Sequence, residues 1–179
     1  IMQKKWFYKN VAANKDLAAE FGVHPAIIKI MADRGIKNRD DVKKYLESSM
    51  DDVSTGEELT DMNKGVEIMH NCIIANKRIR VMADYDVDGA TSGYILHQGL
   101  KNLGGDCDIF IPHRIEDGYG LHENAITKAA DDGIEVIITC DNGIAAAHEI
   151  EMAKKLGMTV VVTDHHEVPF ETLKDGTKK

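Results

Sequence analysis

From residue 78 onward, short apolar segments alternate with helical segments, and this alternation constrains the fold more than any other feature of the sequence. The segments predicted as strands are rich in β-branched residues and lie near 79–83, 108–111, 135–140 and 159–163. The helices between them are predicted near 90–103, 123–131 and 144–156. Strands connected by helices lie parallel and have both faces covered. The pattern therefore predicts an α/β fold, a parallel sheet with helices on both faces.

The first part of the chain has a different pattern, that of a small helical N-terminal segment. Asn14 and Asn38 are suited to cap helices, and Pro25 is suited to the first turn of one. Residues 48–56 are polar and predict a linker, and a longer helix follows over about 57–76. The predicted organisation is a helical segment with a linker over residues 1–56 and an α/β domain over 57–179.

Three of the predicted strands end in carboxylates or imidazoles. These residues are Asp84, Asp86, Asp88, Asp141, Asp164, His165 and His166. The carboxyl ends of parallel strands meet at one edge of a sheet, which is where open α/β sheets bind ligands. Three ionised carboxylates at alternate positions repel one another unless a cation lies among them. The sequence therefore predicts a divalent-metal site at this edge.

The ligand types indicate which metal and which chemistry the site serves. A mixed carboxylate and imidazole shell suits Mn²⁺, or Mg²⁺ with fewer histidine contacts. Two such ions about 4 Å apart would activate a water and stabilise the leaving oxygen in phosphodiester cleavage. The run that starts at Asp84 also matches the opening of an EF-hand. Ile95, however, stands where that loop needs a glutamate, and a strand precedes the run.

Two further groups of residues are candidates for substrate binding, each with an alternative role. Arg114 is suited to bind a phosphate and Tyr119 to stack on a base. Alternatively, Arg114 pairs with a neighbouring carboxylate and the glycines around Tyr119 only shape a loop. Thr91 and Ser92 begin the helix after the first acidic run, where they either bind a phosphate or cap the helix.

Charge and composition narrow the class of protein. The net charge of -8 combines +4 over residues 1–50 with -12 over residues 51–179, which argues against a protein that simply coats nucleic acid. No apolar run is long enough to span a bilayer, and the first residues lack the apolar core of a signal peptide. The three cysteines have no CxxC spacing, as expected of buried thiols in a reducing compartment. We expect a cytoplasmic protein without membrane contact.

Four ordered segments resemble the motifs of the DHH phosphoesterase superfamily. They are Asp84-Tyr85-Asp86-Val87-Asp88-Gly89-Ala90-Thr91-Ser92, then Pro112-His113-Arg114 with Gly118-Tyr119-Gly120-Leu121, then Asp141-Asn142-Gly143-Ile144, then Thr163-Asp164-His165-His166-Glu167. The resemblance is closest to the RecJ-type exonucleases of bacteria within that superfamily, which implies a bacterial protein. Phe21–Leu46 also resembles the N-terminal region of these enzymes, so the likeness covers most of residues 6–168.

The resemblance implies a DHH domain with a centre of two manganese or two magnesium ions. By the same resemblance, Asp86, Asp88, Asp141 and His165 are metal ligands, with Asp84 close by. Asp141 bridges the two ions, His166 faces the scissile phosphate, and Asp164 orients its neighbours. The implied catalytic residues are therefore Asp86, Asp88, Asp141, His165 and His166.

The implied reaction is hydrolysis of single-stranded DNA from its 5′ end to 5′-mononucleotides, in DNA repair and recombination. Single-stranded DNA is the expected partner, together with repair or recombination proteins, and the sequence leaves the oligomeric state open. The family pattern includes a further metal-binding aspartate downstream and C-terminal substrate-binding domains. We therefore expect this chain to be an N-terminal portion of a longer protein.

Two other functions remain open from the sequence. One is a DHH phosphodiesterase for short oligonucleotides or cyclic dinucleotides, whose members usually open the first motif with a histidine. Here Met82 stands four residues before Asp86, in place of that histidine. The other is a folded binding module whose metal site is incomplete.

Overall fold

The structure, a computed structural model of the chain, describes residues 12–118 and 120–170. Contacts within the chain divide it into two compact units, with the boundary between Glu58 and Leu59. No helix in these described ranges is both long and apolar enough to cross a bilayer.

The first unit consists of short helices around a small core of its own. Its α-helices are α1 (Lys15–Glu20), α2 (Pro25–Asp33) and α3 (Arg39–Leu46), and 3₁₀ turns follow at Met50–Asp52 and Gly56–Glu58. The predicted caps are confirmed, because the side-chain oxygens of Asn14 and Asn38 accept hydrogen bonds from the first backbone amides of α1 and α3. The core consists of apolar residues from all three helices: Leu17, Ala18, Ile28, Met31 and Val42.

The second unit is built on a four-stranded, all-parallel sheet. Its elements are, in chain order, α4 (Met62–Ile74), β1 (Ile79–Ala83), α5 (Val87–Asn102), β2 (Cys107–Phe110), α6 (Glu123–Asp131), β3 (Val136–Cys140), α7 (Ala147–Lys155) and β4 (Thr159–Thr163). The strand order across the sheet is β2-β1-β3-β4. The predicted α/β fold with a parallel sheet is confirmed.

Apolar side chains cover both faces of this sheet. On one face, Met69 of α4 and Leu100 of α5 belong to a cluster with Val81 and Ile138. On the other face, residues of α6 and α7 cluster around Ile137 and Met82. All residues of the central strands β1 and β3 are buried, so the ends of these two strands are held firmly.

Three helix starts differ from the predicted ones. Helix α4 begins at Met62 rather than near residue 57, because the 3₁₀ turn at Gly56–Glu58 and the left-handed backbone of Asp61 precede it. The other two differences affect the functional edge. Helix α5 begins at Val87 rather than near residue 90, because the Asp86 side chain caps it through the Gly89 amide. Helix α7 begins at Ala147 rather than at Ile144: residues 143–146 form a turn in which the Ala146 amide donates to the Gly143 carbonyl, and the Ile144 amide donates to the Asp164 carboxylate.

A buried ion pair lies in strand β1 and ties neighbouring segments to it. The Arg80 guanidinium is 7% exposed and donates to both carboxylate oxygens of Asp108, over 2.8 and 2.6 Å. It also donates to Asp132 over 2.9 Å. Arg80, through its hydrogen bonds to Asp108, holds the pKa of the Asp108 carboxyl below its usual range, although burial opposes this. Asp108 is therefore ionised at all but acidic pH.

Replacing Asp108 with asparagine should lower the free energy of unfolding by about 1.5 to 3 kcal/mol, towards the low end because its side chain is 42% exposed. A carboxyl with a lowered folded pKa contributes stability above its unfolded pKa of about 4, and loses it as pH falls through the folded value. Urea unfolding of the wild type and of Asp108→Asn should therefore show a constant difference in the free energy of unfolding at pH 5–7. This difference should narrow below about pH 4. Asp106→Asn is the matched control, since its 3.8 Å pair with Arg78 is exposed. An equal effect of both variants would contradict the prediction.

Candidate metal centre

The register of the sheet brings three strand ends level with one another. Ala83 of β1 is paired with Cys140 of β3, and Cys140 is paired with Thr163 of β4. Asp84, Asp141 and Asp164, which directly follow these three residues, therefore begin their loops side by side at one edge of the sheet.

Two groups of potential metal ligands lie at this edge. In each group, the ligand atoms are within 4.8 Å of one another. The first group is Asp84, Asp86 and Asp141, and the second is Asp141, His165 and His166. Asp141 belongs to both groups, which is the position of a bridging ligand.

Asp84 provides the strongest evidence that a cation belongs here. It is 1% exposed, and neither of its carboxylate oxygens has a hydrogen-bond partner. An ionised carboxylate buried without a partner costs several kcal/mol, so such groups are paired or coordinate metals. The donor set around it consists of carboxylates and imidazoles, which fits a hard or borderline divalent ion.

Asp141 combines an unusual backbone with a crowded electrostatic environment. Its φ angle of 60° lies in the left-handed region, which aspartate tolerates better than most residues. Burial, together with the negative charge of Asp86, raises the pKa of the Asp141 carboxyl. The His165 ring opposes this, because its Nε2 atom lies 2.9 Å from Asp141 Oδ1. A divalent cation would relieve the same repulsion.

Asp86 and Asp88 lie at the start of α5 but have different surroundings. The Gly89 amide donates to Asp86 Oδ1 over 3.0 Å and lowers the pKa of that carboxyl. Asp88 is exposed in the first turn of the helix and belongs to neither ligand group. It lines a groove that also touches Asp141 and His165.

Asp164 orients the loop that carries the two histidines. Its carboxylate accepts hydrogen bonds from the Ile144 amide at 2.9 Å, the His166 amide at 3.1 Å and His166 Nδ1 at 2.7 Å. Burial opposes ionisation of Asp164, but these three bonds outweigh it and lower its pKa. The Asp164 carboxylate in turn raises the pKa of the His166 ring. His166 Nδ1 also lies 4.0 Å from Asp141 Oδ1.

Asn142 has a role that the sequence did not reveal. Its side chain is 2% exposed, and its amide donates to the carbonyls of Met82 at 3.1 Å and Cys140 at 3.0 Å. These two carbonyls lie near the ends of β1 and β3, so Asn142 fastens together the strands that carry Asp84 and Asp141. The only sequence signal was an Asp-Asn-Gly turn, which does not specify what a buried amide contacts.

The residues considered for substrate binding lie around the same edge. Arg114 is exposed, and its guanidinium carbon is 5.0 Å from the centre of the Tyr85 ring. In the sequence, Tyr85 lies between Asp84 and Asp86. The hydroxyls of Thr91 and Ser92 donate to carbonyls within their own helix, those of Val87 and Gly89. Tyr119 is outside the described residues.

Comparison with known proteins connects this geometry to a family. The model of the DHH family, N-terminal domain, matches residues 78–178, which include every residue of the two ligand groups. The chain belongs to the DHH family. The match begins one residue before β1, so the DHH region contains the whole parallel sheet.

Curated relatives of this DHH chain are named single-stranded-DNA-specific exonuclease RecJ. That of Bacillus subtilis is 33% identical over 153 residues, which is 86% of this chain and 20% of the relative. That of Escherichia coli is 36% identical over 166 residues, which is 92% of this chain and 28% of the relative. The chain thus spans about a fifth to just over a quarter of the length of these relatives.

Solved structures similar to this DHH chain are also of RecJ. A crystal structure of exonuclease RecJ bound to manganese matches this chain with a TM-score of 0.59 and 36% identity. The match covers 62% of this chain and 29% of the RecJ chain. The crystal structure of RecJ from Thermus thermophilus in complex with Mn²⁺ matches with a TM-score of 0.58 and 26% identity. That match covers 87% of this chain and 21% of the RecJ chain.

Proposed function

We propose that this chain is the metal-binding part of an exonuclease that hydrolyses single-stranded DNA from the 5′ end to 5′-mononucleotides. The observation that carries the proposal is the position of Asp141, shared by two ligand groups at the same sheet edge. The buried, unpartnered carboxylate of Asp84 beside it supports a cation at this place. The names of the relatives support single-stranded DNA as the substrate.

The two ions would share Asp141 and otherwise have different ligands in this arrangement. Asp84, Asp86 and Asp141 would hold one, and Asp141, His165 and His166 would hold the other. Two divalent ions at such a centre supply an activated water and neutralise charge on the phosphate. The imidazoles favour Mn²⁺ over Mg²⁺, and the manganese in the similar RecJ structures supports the same choice.

The remaining residues of the edge would position the ligands and the DNA. Asp164 holds the His166 ring through Nδ1, which fixes its orientation at the centre. Arg114, exposed beside Tyr85, would offer its guanidinium to a phosphate of the DNA. Asp88, which the resemblance implies as a metal ligand, belongs to neither ligand group and would lie beside the ions. Repair and recombination proteins are the partners that such an exonuclease would serve.

Cleavage of 5′-labelled single-stranded DNA in Mn²⁺ tests the function, with this chain and with the product of its complete gene. Asp86→Asn should lower the cleavage rate at least about 100-fold, the scale of losing one group that stabilises charge in an active site. Asparagine caps helices as well as aspartate does, so α5 should stay intact. Asp131→Asn, on an exposed residue at the end of α6, is the control. Unchanged cleavage by the Asp86 variant would refute the proposal.

The same assay separates the DNA exonuclease from a small-nucleotide phosphodiesterase. Met82, at the position where such phosphodiesterases usually have a histidine, is 2% exposed and packs in the core on the α6 and α7 face of the sheet. It therefore offers no nitrogen ligand to the centre, which favours the exonuclease. Faster cleavage of dinucleotides than of long single strands would favour the phosphodiesterase.

A further inference from the structure

The strand order places Arg114 and the two histidines on opposite flanks of the metal centre. Arg114 follows β2, which is next to β1, whereas His165 follows β4 on the far side of β3. Met82 of β1 is paired with Phe110 of β2, so Tyr85 and Arg114 come three and four residues after a paired position. A side chain from the loop after β2 therefore approaches the centre past the end of β1, close to Tyr85.

The turn that carries Arg114 is closed by its own hydrogen bonds. The Asp117 amide donates to the His113 carbonyl over 2.9 Å, and the His113 amide donates to Asp117 Oδ2 over 2.7 Å. The Glu116 carboxylate lies 4.0 Å from His113 Nδ1. Within the described residues, neither of these carboxylates forms an ion pair with Arg114. The guanidinium is therefore available to an anion from outside the turn.

The contact with the Tyr85 ring gives this guanidinium its orientation. The guanidinium carbon is 5.0 Å from the ring centre, within the roughly 6 Å of a cation–π contact. Arg114 is exposed and has a long, flexible side chain, so a contact with the ring restricts its rotamers before a phosphate binds. Tyr85 lies between Asp84 and Asp86, which both belong to the first ligand group. The ring thus ties the guanidinium to the loop that supplies two of the proposed metal ligands.

We propose that Tyr85 is a positioning residue, which holds the Arg114 guanidinium beside the metal centre so that it binds a phosphate of the DNA in bidentate fashion. The inference rests on the proposed function. Tyr85 acts through Arg114, and not on the DNA or the metal ions themselves. Because a cation–π contact at an exposed site is weak, its loss should lower the affinity for DNA about two- to fivefold. The phenol hydroxyl has no part in this role, so phenylalanine should replace tyrosine fully.

Steady-state cleavage of single-stranded DNA in Mn²⁺ by the product of the complete gene tests the proposal. Tyr85→Leu should raise KM about two- to fivefold, and change kcat and the affinity for Mn²⁺ less than about twofold, because only DNA binding is affected. Tyr85→Phe should match the wild type. In an Arg114→Gln background, Tyr85→Leu should have no further effect. Tyr94→Leu, at a tyrosine of α5 that is 64% exposed, is the matched control and should match the wild type.

A second measurement detects the contact without changing Tyr85. A proton held over the face of an aromatic ring is shifted upfield by the ring current. In the NMR spectrum of the wild-type chain, the Arg114 Nε–H proton should therefore lie upfield of the same proton in other exposed arginines. Its disappearance in Arg114→Lys assigns the signal.

The outcomes separate this inference from the proposed function. The positioning role is overturned by an unshifted Nε–H proton, by an unchanged KM in Tyr85→Leu, or by an effect that phenylalanine does not restore. It is also overturned if the effect of Tyr85→Leu persists beside Arg114→Gln, or if kcat and Mn²⁺ affinity fall together, since Tyr85 would then support the ligand loop. Each of these results leaves the exonuclease itself in place. No cleavage by the wild type would overturn both proposals.

Discussion

Asp141→Asn should remove the stabilisation that Mn²⁺ gives the protein. At a free Mn²⁺ concentration a hundredfold above its dissociation constant, the ion should stabilise the native chain by about 2.7 kcal/mol. For a unit of this size, that raises the melting temperature by roughly 10 °C. Asp141 is common to both ligand groups, so its loss should weaken the binding of both ions. We expect the affinity of the variant for Mn²⁺ to be more than about 100-fold lower than that of the wild type. Such a loss would exceed the roughly 10- to 100-fold loss of affinity on changing a residue that only supports a ligand.

The same variant should behave in the opposite way without metal. The Asp141 carboxyl is buried beside Asp86, and its raised pKa shows that its charge is unfavourable there. Asparagine removes that charge and tolerates the left-handed backbone, so in EDTA the variant should melt no lower than the wild type. Thermal melts in EDTA and in Mn²⁺ measure both effects, with Asp106→Asn as a control that keeps the full Mn²⁺ shift. If the Asp141 variant kept the rise in melting temperature with Mn²⁺, the ion would bind at another place. If the wild type showed no rise, the protein would have no competent Mn²⁺ site.

Among the glycines within the described ranges, Gly89 is the one whose change to alanine should destabilise the protein most. A Cβ atom at this position would lie 2.3 Å from the carbonyl oxygen of Asp84 and 2.5 Å from its carbonyl carbon. Both are backbone atoms of the segment that follows β1, so the first turn of α5 must move away. We expect a loss of about 3 kcal/mol or more in the free energy of unfolding, at the upper end of overpacking effects.

This displacement would also affect the metal centre, because the Gly89 amide holds Asp86 in place. Urea unfolding and Mn²⁺ titration of the variant should therefore both be impaired. Gly99→Ala is a matched control in the same helix, since its Cβ would meet nothing within 4 Å. It should raise stability by roughly 0.5 to 1 kcal/mol through helix propensity. Equal stabilities of the two alanine variants would show that α5 does not pack this closely on β1.

The positions of strands and helices follow from the sequence because their signals are local. The period of apolar residues, the capping asparagines and the glycines after helices are all encoded within a few residues. Once the strands are parallel, the rule that their carboxyl ends share one edge places every acidic and imidazole candidate there. No tertiary information was needed for that step.

Tertiary structure decided which of these candidates come together. Asp84, Asp86 and Asp88 are equivalent in the sequence, but α5 begins between them: Asp84 is buried, whereas Asp88 is exposed in the first turn of the helix and belongs to neither ligand group. The level register of β1, β3 and β4 then brings Asp141 between Asp84 and the histidines. Burial and register depend on contacts between residues about 60 positions apart, such as the bond from Asn142 to the Met82 carbonyl. A local pattern does not contain such contacts, and for that reason only the folded chain shows which carboxylate lies in both ligand groups.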